Sequence, residues 1–294
     1  MGPSGMRTSL STLLALPGLA LGLALGLGLG LGLGLGLGAP PSSASVPAAS
    51  SGSSGSSGSS AASAITLPPL RADWDYQLGG ARPVPAHVGI VERDRTAKPL
   101  AGVYNVCYVN GYQTQVEQKR FWRRHRRLVL KDAGKPVTDS VWGEWLLDTR
   151  TAAKRHALAK IMGRWTAGCA ARGFQAVEYD NLDSFSRSHH LLSRRDNKAY
   201  AALLVKRAHA DGLAAAQKNW AEWDGTSVGF DFAVAEQCGQ YRECASYVHS
   251  YGDHVLAVEY HNRAFRWTCQ HFGDQISVVR RDVDLTRHGV RRWC

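Results

Sequence analysis

The chain has 294 residues, with 35 Lys and Arg against 24 Asp and Glu, for a formal charge of +11. Residues 1–64 hold 14 of the 31 glycines and one charged side chain, Arg7, whereas the remaining 230 residues carry 58 charged groups. That second part is charged like ordinary globular protein and is long enough for one large core. This excludes a wholly disordered chain and a small disulfide-only scaffold, and suits one α/β barrel better than two small domains.

Residues 1–39 read as an export signal: Arg7 precedes Leu13-Leu-Ala-Leu16 and a Leu-Gly alternation from Leu21 to Gly38 that contains no charge. The apolar stretch is longer than a usual signal core and approaches a bilayer span. A secreted protein is expected, with a membrane anchor through an uncleaved signal as the alternative. Residues 40–64, made of Ser, Ala, Pro and Gly with three Ser-Ser-Gly units, bury too little apolar area to order themselves and read as a flexible linker. Residues 65–294 form the folded domain.

Within it, short β-rich runs end in polar or acidic residues and alternate with helical stretches. The runs are Trp74 to Gln77, Gly102 to Tyr108, Trp145 to Asp148, Ala176 to Asp180, Ala214 to Lys218, Phe232 to Glu236, Val255 to Tyr260 and Ile276 to Asp282. A helical stripe of Leu158, Ile161, Met162, Trp165 and Cys169 stops at Gly173, and a second helix from Asp196 to Ala210 stops at Gly212. Eight strands separated by helices predict a (β/α)8 TIM-type barrel. An open doubly wound sheet is the alternative, but no Gly-rich phosphate loop follows the first strand.

All six cysteines lie in the domain, and an even count in an exported chain favours disulfides over metal ligation. Cys238 and Cys244 are six apart across a loop and Cys294 would pin a terminus, so the expected pairs are Cys238 with Cys244, Cys269 with Cys294, and Cys107 with Cys169. No metal or other cofactor is expected.

A barrel places chemistry at the C-terminal ends of its strands. Here those ends are crowded with acids: Asp75, Asp148, Asp180, Asp183, Glu236, Glu259, Asp282 and Asp284, with Lys218 and Asn219 among them. Glu178 and Asp180 alternate by two and share a face, Asp180 nearer the mouth. Crowded carboxylates provide a general acid beside an ionised partner. Asp180 and Glu236 close apolar strands where a bare carboxylate is costly, which marks them as catalytic, whereas N-capping of the next helix would explain Asp183 and Asp284. The aromatics Trp74, Tyr76, Trp145, Tyr179, Trp220, Trp223 and Tyr260 lie near these ends. Sugars, with an apolar C–H face and a polar rim, suit such a site, and Trp220 with Trp223 is the expected stacking platform.

The runs Trp74-Asp-Tyr-Gln-Leu-Gly-Gly80, Gly143-Glu-Trp-Leu-Leu-Asp148, Val177-Glu-Tyr-Asp-Asn-Leu-Asp183, Gln217-Lys-Asn219 and Asp231-Phe-Ala-Val-Ala-Glu-Gln-Cys238, with Cys244, fall in the order seen in one family. With Val258-Glu-Tyr260 and Arg281-Asp282, the chain from Leu67 to Leu285 resembles glycoside hydrolase family 114, the endo-α-1,4-polygalactosaminidases. The resemblance implies a (β/α)8 barrel that cleaves α-1,4-linked galactosamine polymer without a metal, with Asp180 as nucleophile and Glu236 as general acid and base. Asp75, Tyr76, Tyr108, Asp148, Asn181, Asp183, Lys218, Asn219, Trp220, Glu259, Tyr260 and Asp282 would surround the substrate. Two features depart from the pattern. The loop Asn110-Gly-Tyr-Gln-Thr-Gln115 is amide-rich where the family shows a Glu, and the basic domain should repel a polycation at long range.

Lys119 to Lys131 holds seven basic residues in thirteen positions, with Phe121, Trp122, Leu128 and Val129 interleaved. It reads as a solvated barrel helix with an apolar side, and as a possible contact for an anionic cell-wall polymer. No nucleic-acid recognition motif accompanies it, and a monomer is expected. Two other functions are open: a barrel that binds polysaccharide without cleaving it, and a glycosidase of this scaffold acting on another amino sugar.

Overall fold

The computed structural model describes residues 65–294, so the expected signal and linker lie outside the described residues. Eight parallel strands form a nearly closed barrel: β1 (Asp73–Tyr76), β2 (Val88–Asp94), β3 (Tyr104–Asn110), β4 (Ala176–Asp180), β5 (Ala214–Lys218), β6 (Phe232–Glu236), β7 (Val255–Glu259) and β8 (Ser277–Arg281). A ninth strand, β9 (Arg291–Trp293), pairs antiparallel with β8. The seam between β1 and β8 is held by side chains. Arg281 Nη1 donates to Asp75 Oδ1 at 3.0 Å, and Trp293 Nε1 donates to the Trp74 carbonyl at 2.8 Å.

The expected strand count stands, but one member changes. Trp145–Leu146 is a two-residue strand paired antiparallel with Gln113–Thr114, outside the barrel. Its place is taken by β2, which reads as a loop in sequence because Gly89, Glu92 and Arg93 interrupt its apolar run. The chain also departs from a regular (β/α)8 pattern after β1 and β2, where loops replace helices.

The helices are α1 (Lys119–Arg124), α2 (Ala152–Ala171), α3 (Arg194–Ala210), α4 (Cys238–Tyr241), α5 (Cys244–Tyr251) and α6 (Asn262–Phe272). Thr151 caps α2 by accepting from Lys154 N–H, and Ser193 caps α3 by accepting from Asp196 N–H. After α2 the chain turns at Gly173, whose φ of 91° favours glycine.

Alternation along the strands makes two cores. Trp74, Tyr76, Ile90, Val106, Phe232, Val234 and Val258 fill the barrel interior. Val109, Val177, Tyr179, Ala215 and Ala233 face the shell of helices, where they meet Leu158, Met162, Tyr200 and Leu204. The disulfides are Cys107–Cys169, Cys238–Cys244 and Cys269–Cys294, as expected. Cys107–Cys169 ties β3 to α2, and Cys269–Cys294 ties α6 to the segment after β9.

Candidate active site

A cleft of about 470 Å³ opens at the C-terminal ends of the strands, with Tyr76, Tyr108, Asp180, Lys218, Glu236 and Tyr260 in its wall. The strand ends are shaped for it. The residues that follow Asp180, Lys218 and Glu236, namely Asn181, Asn219 and Gln237, all have positive φ (68°, 53° and 59°), and Trp220 continues the turn at 66°. These sharp exits leave each preceding side chain at the mouth. Asn tolerates the left-handed region better than most residues, whereas backbone there costs about 1 kcal/mol or more elsewhere, a cost that concentrates at functional sites.

Lys218 organises the cleft floor. Its Nζ lies 2.7 Å from the Tyr76 hydroxyl, 3.0 Å from Glu178 Oε1, 3.5 Å from Asp180 Oδ1 and 3.8 Å from Glu236 Oε2. Burial opposes its charge, but Asp180, Glu178, Glu236 and Glu92 hold the ammonium well above the ordinary lysine range. Below the mouth, burial pushes the Glu178 carboxyl up to about 7 against the pull of Lys218. Burial and Glu178 together raise Glu92 well above the carboxylate range, so Glu92 stands neutral beside Glu178.

Asp180 is further held by the Tyr108 hydroxyl, which donates to Oδ2 at 2.8 Å, and by Asn181 N–H, which donates to Oδ1 at 2.7 Å. Glu236 accepts from the Tyr260 hydroxyl and from Asn219 Nδ2 at 3.2 Å, while its own N–H donates to Asn219 Oδ1 at 2.8 Å. Both carboxylates thus keep a fixed orientation with an edge open to the cleft. Burial and the nearby acids raise the Tyr76, Tyr108 and Tyr260 hydroxyls well above their usual range, so all three remain donors.

Two further hollows adjoin the central cleft. One of about 320 Å³ shares Asp183, Asn219, Glu236 and Gln237 with it, and one of about 540 Å³ shares Leu78, Tyr108, Trp142 and Glu144. The three make a groove across the mouth with Asp180 and Glu236 in the central part.

Of the residues expected around a substrate, Tyr76, Tyr108, Asn181, Asp183, Lys218, Asn219 and Tyr260 line the central cleft. Asp183 stands at the N-cap of the short 3-10 helix Ser184–Arg187, but its carboxylate makes no capping hydrogen bond and pairs instead with Arg187 Nη2 at 2.8 Å. Trp220 reaches only the smaller hollow and is 7% exposed, wedged between Phe185 and Trp223, while Trp223 is core.

Four expected contacts are structural instead. Asp75 is one residue out of phase with Tyr76, so it points out of the barrel to Arg281, Arg82 and Arg291. Burial alone would raise its pKa, but the Gln77 amide and these guanidinium groups hold it below the ordinary range. Glu259 is likewise one residue before Tyr260 and faces α4 and α6, accepting from Gly239 N–H at 2.6 Å and Thr268 Oγ1 at 3.0 Å. Asp148 is buried away from the cleft under Arg150 and Lys154, which keep its pKa low against burial. Asp282 accepts from Thr286 N–H at 2.7 Å and orders the loop after β8.

Among the cleft residues that the sequence reading did not single out, Glu144, Trp142 and Asp139 come from the connection after β3 and Arg187 from the one after β4, whereas Asp284, one of the acids expected at the strand ends, lines the rim and not a helix cap. Trp142 is 53% exposed, the solvent-facing aromatic that the sequence placed at Trp220. Glu144 lies in the run Gly143-Glu-Trp-Leu-Leu-Asp148 that carries part of the family resemblance, one residue before the expected strand from Trp145 to Asp148, whereas no motif marked Trp142. The Sγ atoms of Cys238 and Cys244 and the Glu259 carboxylate lie within 4.8 Å of one another, but the disulfide leaves no thiolate to hold a metal there.

Comparison with solved structures gives the fold independently. The chain is similar to Aspergillus fumigatus Ega3, solved in complex with galactosamine, with a TM-score of 0.64 and 20% identity over 79% of this chain and 98% of that one. It is also similar to the glycoside hydrolase domain of PelA from Pseudomonas aeruginosa, with a TM-score of 0.53 and 15% identity over 74% of this chain and 97% of that one. No curated protein matches it. The profile of Glycoside-hydrolase family GH114 matches residues 55–294, and the chain belongs to that family of glycoside hydrolases.

Proposed function

We propose that the protein is an endo-acting hydrolase of α-1,4-linked, galactosamine-containing polysaccharide that works by a retaining, two-carboxylate mechanism. The observation that carries this reading is one ammonium, Lys218 Nζ, shared by Asp180 and Glu236 in the middle of an open groove. The two distances from it limit the nearest carboxylate oxygens to about 7 Å apart, a bound that admits the roughly 5–5.5 Å of a retaining pair and only the low end of the roughly 6.5–9.5 Å of an inverting one. Asp180, closer to the cation and held by Tyr108 and Asn181, attacks the anomeric carbon. Glu236 protonates the departing glycosidic oxygen, then takes a proton from the water that releases the glycosyl-enzyme. A groove continuing to both sides suits cleavage within a chain, and a family neighbour crystallised with galactosamine supports the sugar.

The test is mass-spectrometric product analysis on de-N-acetylated and N-acetylated α-1,4-galactosaminan, with the anomer followed by NMR. Wild type should release short oligomers with retained configuration, while Asp180→Asn and Glu236→Gln lose turnover by about 10²–10⁴-fold and keep the wild-type melting temperature. Binding without products would favour a non-catalytic polysaccharide-binding barrel, and products from another amino-sugar polymer alone would move the substrate.

We also propose that the protein acts outside the cell membrane, which three disulfides support. Recovery of mature protein from the medium, with its N-terminus near residue 39, tests this. Among the described residues no helix is long and apolar enough to cross a membrane.

The basic run supports a second contact. Trp122 and Leu128 pack inward, while Arg120, Arg123, Arg124, Arg126 and Arg127 are exposed and, with Arg164 of α2, form no salt bridge. Such a face suits an anionic cell-wall polymer. Retention on isolated walls and on polygalacturonate should fall steeply with salt; salt-independent retention, or preference for duplex DNA, would overturn it.

A further inference from the structure

Every acid that lines the central cleft and is shielded from water has a cation, except one. Asp180 and Glu236 share Lys218, and Asp139 and Asp183 share Arg187 at 3.1 and 2.8 Å. Asp284 is exposed. Glu144 is half-buried where the central cleft meets the larger hollow, and it forms no salt bridge. Its Oε2 accepts from Asn110 Nδ2 at 2.9 Å, and from the Gln113 amide at 3.1 Å when that amide is turned to satisfy both its neighbours. Oε1 accepts no hydrogen bond from the described residues. Amides therefore fix the position of this carboxylate, and among the described residues it forms no salt bridge.

We propose that Glu144 is the contact for a protonated amino group on the sugar bound between the central cleft and the larger hollow, and that it selects de-N-acetylated over N-acetylated units. The inference rests on the substrate class proposed above. Burial pushes the Glu144 carboxyl up to about 7; Asn110 opposes the shift, and Asp180, Asp139 and Glu117 add to it. Arg187 lies beyond Gln113, Asp94 and Arg95 line the larger hollow with Glu144, and the Tyr108 hydroxyl is a further titratable neighbour. An arriving ammonium favours the ionised form and supplies the missing positive charge. An N-acetyl group brings no charge and leaves the raised carboxyl without a counter-ion. The amide-rich loop at Asn110 and Gln113 has a role on this reading, since two neutral donors orient Glu144 without spending its charge.

The experiment measures kcat and KM for wild type and Glu144→Gln on de-N-acetylated and N-acetylated oligomers of equal length, from about pH 5.5 to about pH 7.5. For wild type, KM on the de-N-acetylated oligomer should fall as pH rises toward 7, because ionised Glu144 is the binding form. Glu144→Gln should raise that KM roughly tenfold or more, remove its pH dependence, and leave KM on the N-acetylated oligomer within about twofold. An equal rise in both KM values, or a pH dependence that persists in the variant, overturns the proposal. If the variant does not fold, wild type alone decides, since an identical KM ratio for the two oligomers at about pH 6 and about pH 7.5 also overturns it. Wild type inactive on both oligomers overturns the substrate class instead, so the two failures are distinct.

Discussion

Lys218 Nζ stands 3.5 Å from Asp180 Oδ1; both residues line the cleft, the lysine side chain 1% exposed and the carboxylate side chain 19%. The ammonium lies inside the barrel with Tyr76 and Glu178 on it, so Asp180 is held at the mouth by a charge that solvent does not reach. Replacing Lys218 by Met leaves Glu178 buried without its cation and lets Asp180 and Glu236 repel each other. Loss of one partner of a buried pair costs about 3–5 kcal/mol. Lys218→Met should therefore melt markedly lower and lose turnover. A variant with wild-type melting and wild-type kcat would show that Asp180 and Glu236 do not depend on this cation.

Asp75 should behave in the opposite way. Its carboxylate joins the β1–β8 seam to Arg281, Arg82 and Arg291, and none of these contacts reaches the groove. Asp75→Asn should lower stability by about 3–5 kcal/mol, because the Arg281 guanidinium stays buried without its anion. The folded fraction should keep the wild-type KM. A raised KM with unchanged melting would return Asp75 to the substrate.

The buried acids give a pH dependence of known sign. In the folded protein Glu92 is raised well above the carboxylate range, and Glu178 sits at about 7. Between about pH 4.5 and neutrality the folded pair holds protons that the unfolded chain has released, so its contribution to stability declines as pH rises. Glu92→Gln keeps a neutral donor beside Glu178 and removes the proton uptake. Its melting temperature relative to wild type should climb from about pH 4.5 to about pH 7.5. A difference that stays constant across that range would mean Glu92 is not held neutral.

Trp142 and Trp220 should separate binding from folding. Trp142 is carried by a loop that Asp139 orders, accepting from Val141 N–H at 2.9 Å, and it is exposed where the central cleft meets the larger hollow. Trp142→Ala should raise KM for long substrates several-fold, by about 0.5–1.5 kcal/mol, with little change in kcat or melting. Trp220→Ala should instead destabilise by about 3–5 kcal/mol, since its ring is packed against Phe185 and Trp223. The reverse pattern in steady-state kinetics and calorimetry would put the sugar on Trp220.

Much of the barrel was legible because strand-closing residues are local features. Apolar runs ending at Asp180, Lys218 and Glu236 mark three neighbouring strands, and an apolar stripe stopping at Gly212 marks one helix. β2 escaped because Glu92 and Arg93 look like loop residues until Glu178 and Lys218 are brought beside the first of them. Trp145–Leu146 was misplaced because three apolar residues before an acid, Trp145 to Leu147 before Asp148, read the same in a barrel strand and in a ribbon outside it.

The sequence by itself determined the class of chemistry: strand-end carboxylates, aromatics beside them, and an even count of cysteines that favours disulfides, of which spacing singled out Cys238 with Cys244. Tertiary structure decided which acids do the work. Facing alternates with every residue along a strand, so Asp75 and Glu259, each one position from a tyrosine at the mouth, turn outward to hold the scaffold. Glu144 and Trp142 become part of the groove through a long connection that folds back over the mouth, a placement set by contacts between distant segments.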